Sequence, residues 1–176
     1  INNRGGFYRT EIYIHEARMS GATVHNPCVN KSDVDANVCG GDVYLGLSIL
    51  KGLSGGLITS IITERECSGE YASLEDFIER INIGIESVQT LIFIGAFRFT
   101  GKPKSELIVR ARQLLVNYKP ENKTPLLIQA VKKAYKLPVL QRSVFEDAFD
   151  EIEILSFPVS CSPFDLLQTK YRGDVL

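Results

Sequence analysis

A short glycine-rich segment holds the residues best suited to gripping a ligand through the backbone. It reads Lys51-Gly52-Leu53-Ser54-Gly55-Gly56 and lies between an apolar turn that begins at Leu47 and an apolar helix that reaches Arg65. Three glycines within five residues permit positive φ values and the close approach of another backbone or a phosphate. Free N–H groups at the start of the following helix, aided by the helix dipole, favour an anion. The same pattern is also typical of an ordinary helix end and turn.

Other residues with chemical potential are less well placed. Asp33 and Asp35 have the spacing of a metal-binding carboxylate pair, but the neighbouring Gly40-Gly41 indicates a turn rather than a magnesium site. The four cysteines include no CxxC pair, and His15 and His25 complete no zinc spacing. We therefore expect reduced cysteines, no bound metal and no catalytic residue in this chain.

Charge is distributed unevenly along the chain, whose net charge is −1. Residues 1–100 carry eight Lys or Arg against twelve Asp or Glu, residues 101–142 carry ten against two, and residues 143–176 carry two against seven. A block of net charge +8 between acidic neighbours indicates an anionic partner for the middle of the chain. A solvated, lysine-rich helix face would have the same composition.

Length and hydropathy predict a globular protein without a membrane-spanning segment. The 176 residues are 44% hydrophobic and 23% charged, which is ordinary for a folded domain. No apolar run approaches the roughly 18 residues of a membrane span, and no signal peptide is recognisable. The chain begins at Ile1 rather than Met and stops at Leu176 without a tail, so we expect a piece of a longer protein.

Helices predominate among the elements that must position the glycine-rich segment. An amphipathic helix is predicted at residues 7–19, and two short strands, at residues 22–29 and 42–47, are expected to form an antiparallel pair against the helices. The helix after Gly56 has isoleucines at i, i+3 and i+4 from Ile58, which predicts one buried face.

A second unit of the same kind follows. Ser73 and Asp76 form an approximate capping box at the start of a helix, and the next helix meets a tight turn at Gly95. Gly95 lies 43 residues after Gly52, so two glycine-bearing hairpins occur in tandem. The sequence therefore predicts a tandem helix-hairpin-helix, a unit whose hairpins face adjacent phosphates of a nucleic acid without reading its bases.

Five strings, taken in order, resemble the alpha subunit of bacterial DNA polymerase III, the C-family replicative polymerase. They are EARMSGATVHNPCVNKS, VYLGLSILKGLSGG, YASLEDFIERI, LIFIGAFRFTG and FPVSCSPFDLL, and they extend over nearly all of the chain. The resemblance implies a distal fingers remnant at residues 1–46, a tandem helix-hairpin-helix DNA-binding domain at 47–118, and a basic helix, clamp-binding peptide and connector at 119–176. The predicted fold is mainly α, with a small β element near the N-terminus and a tandem helix-hairpin-helix core.

The resemblance also implies functional roles. The hairpins would hold the double-stranded DNA of a primer-template through backbone groups and cations, at Lys51, Gly52, Leu53, Ser54, Gly55, Gly56, Gly95, Lys102 and Lys104. A QxxLF-like peptide would dock on the sliding clamp through Gln141, Ser143, Val144 and Phe145. Other polymerase holoenzyme subunits would be further partners, in the bacterial cytoplasm at the nucleoid. The Mg²⁺-dependent palm of that polymerase lies outside this chain, so we expect no cofactor and no polymerase activity here.

Two departures from the family pattern affect these expectations. Ser54 stands where the family hairpin usually has glycine, so a positive φ at Ser54 would be strained unless Gly55 absorbs it. Val144 is smaller than the leucine usual in the clamp peptide, which would weaken docking.

Two other functions remain open. A helical protein-interaction module, with hairpins that are only corners, would agree with the acidic first hundred residues. A helix-hairpin-helix DNA-repair glycosylase would need a catalytic Asp, often with a Lys, just beyond the hairpin. That helix carries Thr59, Thr63 and Glu64 on its outer face instead.

Overall fold

The computed structural model describes residues 8–117, 144–161 and 166. Within these residues the chain forms six α-helices, three short strands and two 3-10 turns. In chain order they are α1 (Thr10–Met19), β1 (Thr23–His25), β2 (Asn37–Cys39), β3 (Asp42–Tyr44), a 3-10 turn (Leu47–Ile49), α2 (Gly55–Ser68), α3 (Leu74–Arg80), α4 (Ile85–Phe93), a 3-10 turn (Arg98–Thr100), α5 (Lys104–Asn117) and α6 (Val144–Leu155). The expected mainly helical fold with a small β element near the N-terminus is confirmed. None of the described helices has the length and apolar character needed to cross a membrane.

The three strands form one small sheet in the order β1-β3-β2. β1 runs parallel to β3, with Val24 opposite Val43, and β2 runs antiparallel to β3, with Val38 opposite Val43. The predicted antiparallel pairing of the first and last strands was therefore wrong. Strand β2 was not predicted; it pairs antiparallel with β3, and it lies in the connection between β1 and β3, which is long enough for the crossover that a parallel pair requires.

One hydrophobic core joins most of the described elements. Phe77 is fully buried in this core and makes edge-to-face contacts with Tyr71 and Phe97, at ring-centroid distances of 4.9 and 5.0 Å. The same core extends from Ile14 in α1 to Val159 beyond α6. The described parts of the three predicted regions thus share a core, and the division at residues 46 and 118 stays a prediction.

A polar junction around Tyr71 and Arg80 holds α2 against α3. The Tyr71 hydroxyl donates to the Ile61 carbonyl at 2.8 Å, and the Arg80 guanidinium lies 4.4 Å from the Tyr71 ring centroid. Arg80 also contacts the carboxylates of Glu64 and Asp76, at 3.1 and 3.2 Å. Burial raises the pKa of Tyr71 to about 12, so its hydroxyl remains a donor at neutral pH. The junction keeps the first hairpin's helix in a fixed position.

Helix α3 begins with the predicted approximate capping box, in which the returning bond comes from the residue before the N-cap. The Asp76 N–H donates to the Ser73 hydroxyl at 3.2 Å, and the Asp76 carboxylate accepts from the Ala72 N–H at 2.9 Å. The buried residues of α3 are Leu74, Phe77 and Ile78. Local sequence and burial pattern therefore agree over this helix.

Gly46 marks a close approach between two backbones, just before the first 3-10 turn. A Cβ atom at this position would lie 2.4 Å from the Asp35 carbonyl carbon and 2.5 Å from the Val34 carbonyl oxygen. The Leu47 N–H donates to the Asp33 carbonyl at 2.9 Å, which holds the two segments together. This bond connects the 3-10 turn before the first hairpin to the loop that precedes β2.

We expect Gly46→Ala to destabilise the fold by about 1–3 kcal/mol, because the atoms it meets are backbone and cannot rotate away. Urea denaturation followed by circular dichroism measures this loss. Gly41→Ala is the matched control, since its Cβ meets nothing within 4 Å and its φ is not positive. Equal unfolding midpoints for the two variants would contradict the close-approach interpretation.

Candidate nucleic-acid interface

The first hairpin connects the 3-10 turn at Leu47–Ile49 to α2. Gly52 has a φ of 95°, and the Leu53 N–H donates to the Leu50 carbonyl at 3.5 Å, so the chain reverses at Gly52. Leu53 packs against the core and anchors the tip. Ser54 is the N-cap of α2, and its hydroxyl accepts from the Leu57 N–H at 3.3 Å. The predicted hairpin is therefore present in the structure.

Ser54 needs no left-handed backbone. Its φ is −74° and its ψ is 149°, the extended conformation usual for an N-cap. Of the three hairpin glycines, Gly52 alone has a positive φ, while Gly55 and Gly56 begin the helix. The anticipated strain at Ser54 does not arise, because serine here caps the helix.

Gly55 and Gly56 leave the start of α2 open. Both are exposed, and a Cβ atom at either would meet nothing within 4 Å. The first N–H groups of a helix have no partner within the helix, and Ser54 caps the N–H of Leu57. The N–H groups of Gly55 and Gly56 are therefore the donors that α2 can offer to an anion.

Lys51 is exposed at the same hairpin. Its ammonium lies 3.0 Å from the hydroxyl of Ser156, the residue that follows α6. Ser156 has a φ of 76°, a left-handed conformation that is uncommon for a residue other than glycine. The cation of the first hairpin thus contacts the end of α6.

The second hairpin connects α4 to α5 and differs from the first. Gly95 has a φ of 77°, as a tight turn requires, but Ala96 and Phe97 behind it are fully buried. The Gly95 carbonyl accepts from the Arg98 N–H at 3.1 Å and from its side chain at 3.0 Å. The Ala96 carbonyl accepts from the Val29 N–H at 3.3 Å. The tip of this hairpin therefore packs in the core and is hydrogen-bonded to the segment that follows β1.

The two lysines of the second hairpin have different surroundings. Lys102 is half exposed and lies 3.5 Å from the Glu106 carboxylate. The side chain of Lys104 is 15% exposed, and its ammonium lies 2.5 Å from Asp147 and 2.9 Å from Asp150, both in α6. Lys51 and Lys102 are therefore at the surface, whereas Lys104 is engaged by two carboxylates.

The predicted clamp contacts are described only in part. Gln141 and Ser143 lie outside the described residues. Val144 begins α6, and Phe145 in its first turn is 39% exposed. Phe149, one turn further along, is 64% exposed. The described end of the peptide is thus helical and presents an aromatic side chain near the surface.

Two residues important for the arrangement were missed. Arg98 donates to the Asn26 carbonyl at 2.8 Å and so connects the second hairpin to the end of β1. Glu151 is 2% exposed, and its carboxylate accepts from the Asn26 amide and from the N–H groups of Val159 and Ser160, at 2.6 and 2.7 Å. Helical spacing could have identified Glu151, since it shares the buried face of α6.

A cavity of about 440 Å³ lies beside β1, and the charged groups that line it do not favour a phosphate. Its cations include Arg18 and Arg98, which donate to the backbone carbonyls of Val159 and Asn26. The carboxylate of Glu151 also lines the cavity. Both arginines therefore serve to hold the surrounding chain together.

The aspartates with metal-like spacing are engaged in local bonding. Asp33 accepts from Arg65 at 2.9 Å, and Asp35 accepts from the Ser48 hydroxyl at 3.3 Å. Among the residues that the structure describes, no group of three His, Cys, Asp or Glu side chains is close enough to hold a metal ion.

Comparison with known proteins agrees with this geometry. Residues 21–107 match a family model described as a helix-hairpin-helix motif. The error-prone DNA polymerase of Mycobacterium tuberculosis is 32% identical over 105 residues, which are 58% of this chain and 10% of that protein. The DNA polymerase III subunit alpha of Borreliella burgdorferi is 37% identical over 82 residues (47% of this chain, 7% of that protein), and that of Deinococcus radiodurans 33% over 93 residues (51% and 7%).

The predicted resemblance to the alpha subunit of DNA polymerase III is therefore confirmed, over about half of the chain. The match spans a tenth or less of the length of each of these relatives. The helix-hairpin-helix match begins at residue 21, so it includes the small sheet as well as both hairpins.

We expect Ser54→Ala to destabilise the fold by about 1 kcal/mol, because the Leu57 N–H loses its cap. Ser54→Asp should retain full stability, since a carboxylate can accept the same bond and also favours the helix dipole. Thermal unfolding of both variants tests the cap. If the alanine variant were as stable as the aspartate variant, the hydroxyl would not be serving as the N-cap.

Proposed function

We propose that this chain, a homologue of the alpha subunits of bacterial DNA polymerase III and of error-prone DNA polymerases, is a region that binds the backbone of double-stranded DNA. The observation that carries the proposal is the first hairpin. There an open helix start, formed by Gly55 and Gly56, lies next to an exposed lysine, Lys51. The second hairpin supplies Lys102 at the surface.

A phosphate at this hairpin would accept hydrogen bonds from the N–H groups of Gly55 and Gly56. The N-terminal end of α2 carries the positive end of the helix dipole, and Lys51 adds a full charge nearby. Backbone donors cannot distinguish one base pair from another, so binding would be independent of sequence. Its affinity would fall steeply with salt, because each phosphate contact releases condensed counterions.

The basic middle of the chain supports the same partner. Residues 101–142 carry a net charge of +8, and in the described part of that block Arg112 is exposed on α5. The remaining basic residues of the block lie mainly at 118–142, outside the described residues. An anionic duplex is the partner that such a block favours.

The proposal extends to a tether at the sliding clamp. Residues Gln141, Ser143, Val144 and Phe145 would dock there, with Phe145 as the apolar anchor, and the acidic α6 would follow behind them. A weak peptide suffices for this role, because tethering raises the effective concentration of the polymerase at the primer end. We propose contacts with other holoenzyme subunits and a cytoplasmic, nucleoid-associated location on the same basis.

The whole protein would be a DNA-directed DNA polymerase. Its Mg²⁺-dependent chemistry would lie in a palm outside this chain, and the proposal assigns no cofactor and no catalytic residue to these 176 residues. The chain would instead hold the duplex while another region reacts.

Gly56→Glu tests the phosphate site without disturbing the fold. The new carboxylate would occupy open space at the helix start, where it favours the dipole and should leave thermal stability equal or higher. Affinity for a primer-template duplex, measured by fluorescence anisotropy at 50–200 mM salt, should fall about ten-fold or more, because the carboxylate repels phosphate.

Cys67→Glu is the matched control for Gly56→Glu. It makes the same charge change at an exposed position about 17 Å further along the same helix, and should alter affinity less than two-fold. Equal losses in the two variants would show a general charge effect, and unchanged binding in Gly56→Glu would reject the first hairpin as the phosphate site.

Phe145→Ala tests the tether separately from DNA binding. Surface plasmon resonance against the immobilised sliding clamp should show a loss of about ten-fold or more in affinity, because an anchor side chain of this size dominates a short peptide. Phe149→Ala is the control, since it removes a more exposed phenylalanine from the same helix. Clamp binding that depends on Phe149 rather than Phe145 would contradict the assignment.

A further inference from the structure

Helix α6 and the residue after it contact the cation of each hairpin. Asp147 and Asp150 hold Lys104 at the start of α5, and Ser156 meets Lys51 at the first hairpin. Two of the three lysines proposed to meet phosphate are therefore in contact with α6 or with the residue that follows it, and Lys104 is the one held by carboxylates.

At Lys104 two carboxylates already make the contacts that phosphate oxygens would make with the ammonium. Two carboxylates approach one ammonium at 2.5 and 2.9 Å. They do so at the first residue of α5, where the helix dipole also favours negative charge. The Lys104 side chain is 15% exposed and that of Asp150 is 19% exposed, so solvent screens this pair only in part.

The fold does not depend on this contact to hold α6 in place. The second half of the helix is anchored by the buried Glu151 carboxylate and by Leu155, and the chain beyond it by Phe157 and Val159. In the first half Ala148 is fully buried, whereas the side chain of Asp147 is 42% exposed and that of Asp150 is 19% exposed. The two carboxylates can therefore leave Lys104 by side-chain rotation while the helix stays docked.

We propose that the carboxylates of Asp147 and Asp150 are an internal competitor of DNA phosphate for the second hairpin. This inference rests on the function proposed above. The first hairpin, with its open glycines, would bind phosphate first. The second hairpin would bind only when a phosphate displaces the two carboxylates from Lys104. The chain would therefore bind duplex DNA more weakly than it would without these carboxylates.

The competition has a measurable signature in salt. Removing both carboxylates frees one lysine for one more phosphate contact, which steepens the slope of log K against log[salt] by about 0.9 and tightens binding at 150 mM salt about five-fold. The extra affinity must come from Lys104 itself. A general rise in positive charge would instead act at any site on α6.

The experiment compares the full chain with its Asp147→Asn/Asp150→Asn variant, by anisotropy on one primer-template duplex over 50–200 mM salt. The control is Glu146→Gln/Glu153→Gln, which makes the same charge change at two exposed positions of the same helix. Adding Lys104→Gln to the Asp147→Asn/Asp150→Asn variant should cancel the gain, as expected for residues coupled through one interaction. Thermal unfolding of every variant shows that it is folded.

Each outcome bears on the inference or on the proposed function. A gain in the Asp147→Asn/Asp150→Asn variant that exceeds the control and disappears with Lys104→Gln supports competition. Binding by that variant where the unsubstituted chain shows none supports it most strongly. If the unsubstituted chain binds and the Asp147→Asn/Asp150→Asn variant binds no tighter than the control, competition is rejected and the proposed function stands. If neither binds at 50 mM salt, the proposed function and the inference both fail for this chain.

Discussion

A buried carboxylate in α6 connects this helix to the end of β1. Glu151 is 2% exposed, and a charge removed from water in this way is tolerated only when hydrogen bonds replace the lost solvent. The Asn26 amide and the N–H groups of Val159 and Ser160 supply those bonds, from the end of β1 and from the segment after α6. Elements that are 125 residues apart in the chain are thus obliged to meet at one point. Moving α6 away as a whole would break the bond between the Asn26 amide and the Glu151 carboxylate and expose the core around Leu155 and Phe157.

The position of α6 makes two similar hairpins unequal. Both have a glycine at positive φ, Gly52 in the first and Gly95 in the second. Beyond that glycine, the first hairpin continues into an open helix start, while the second is buried at Phe97 and followed by a lysine held by acidic side chains. Two copies of a motif therefore need not expose the same groups, because packing decides which copy faces solvent.

The inequality agrees with the proposed function. Under that proposal, backbone N–H groups and a few surface cations would give an affinity that is independent of sequence. The proposed competition at Lys104 would limit the total affinity. Helix α6, which carries the proposed competing carboxylates, also begins with residues proposed to meet the clamp, so both proposed roles involve this helix.

The sequence by itself determined the features that depend on local chemistry. Ser73 and Asp76 could be identified as a capping box, and the glycine spacing located both hairpins, because caps and turns involve residues that are neighbours along the chain. Sequence strings were also sufficient to find the resemblance to the alpha subunits of DNA polymerase III, which the relatives confirm over about half of the chain.

Tertiary structure decided what distant residues do to one another. The pairing of β1 with β3 is parallel, and β2, which the sequence did not indicate, lies on the other edge of β3. The engagement of Lys104 could not be deduced from its position at a helix start, since its partners, Asp147 and Asp150, lie more than 40 residues away. Spacing along the chain predicts which groups can act, whereas only the folded chain shows which of them are already bound.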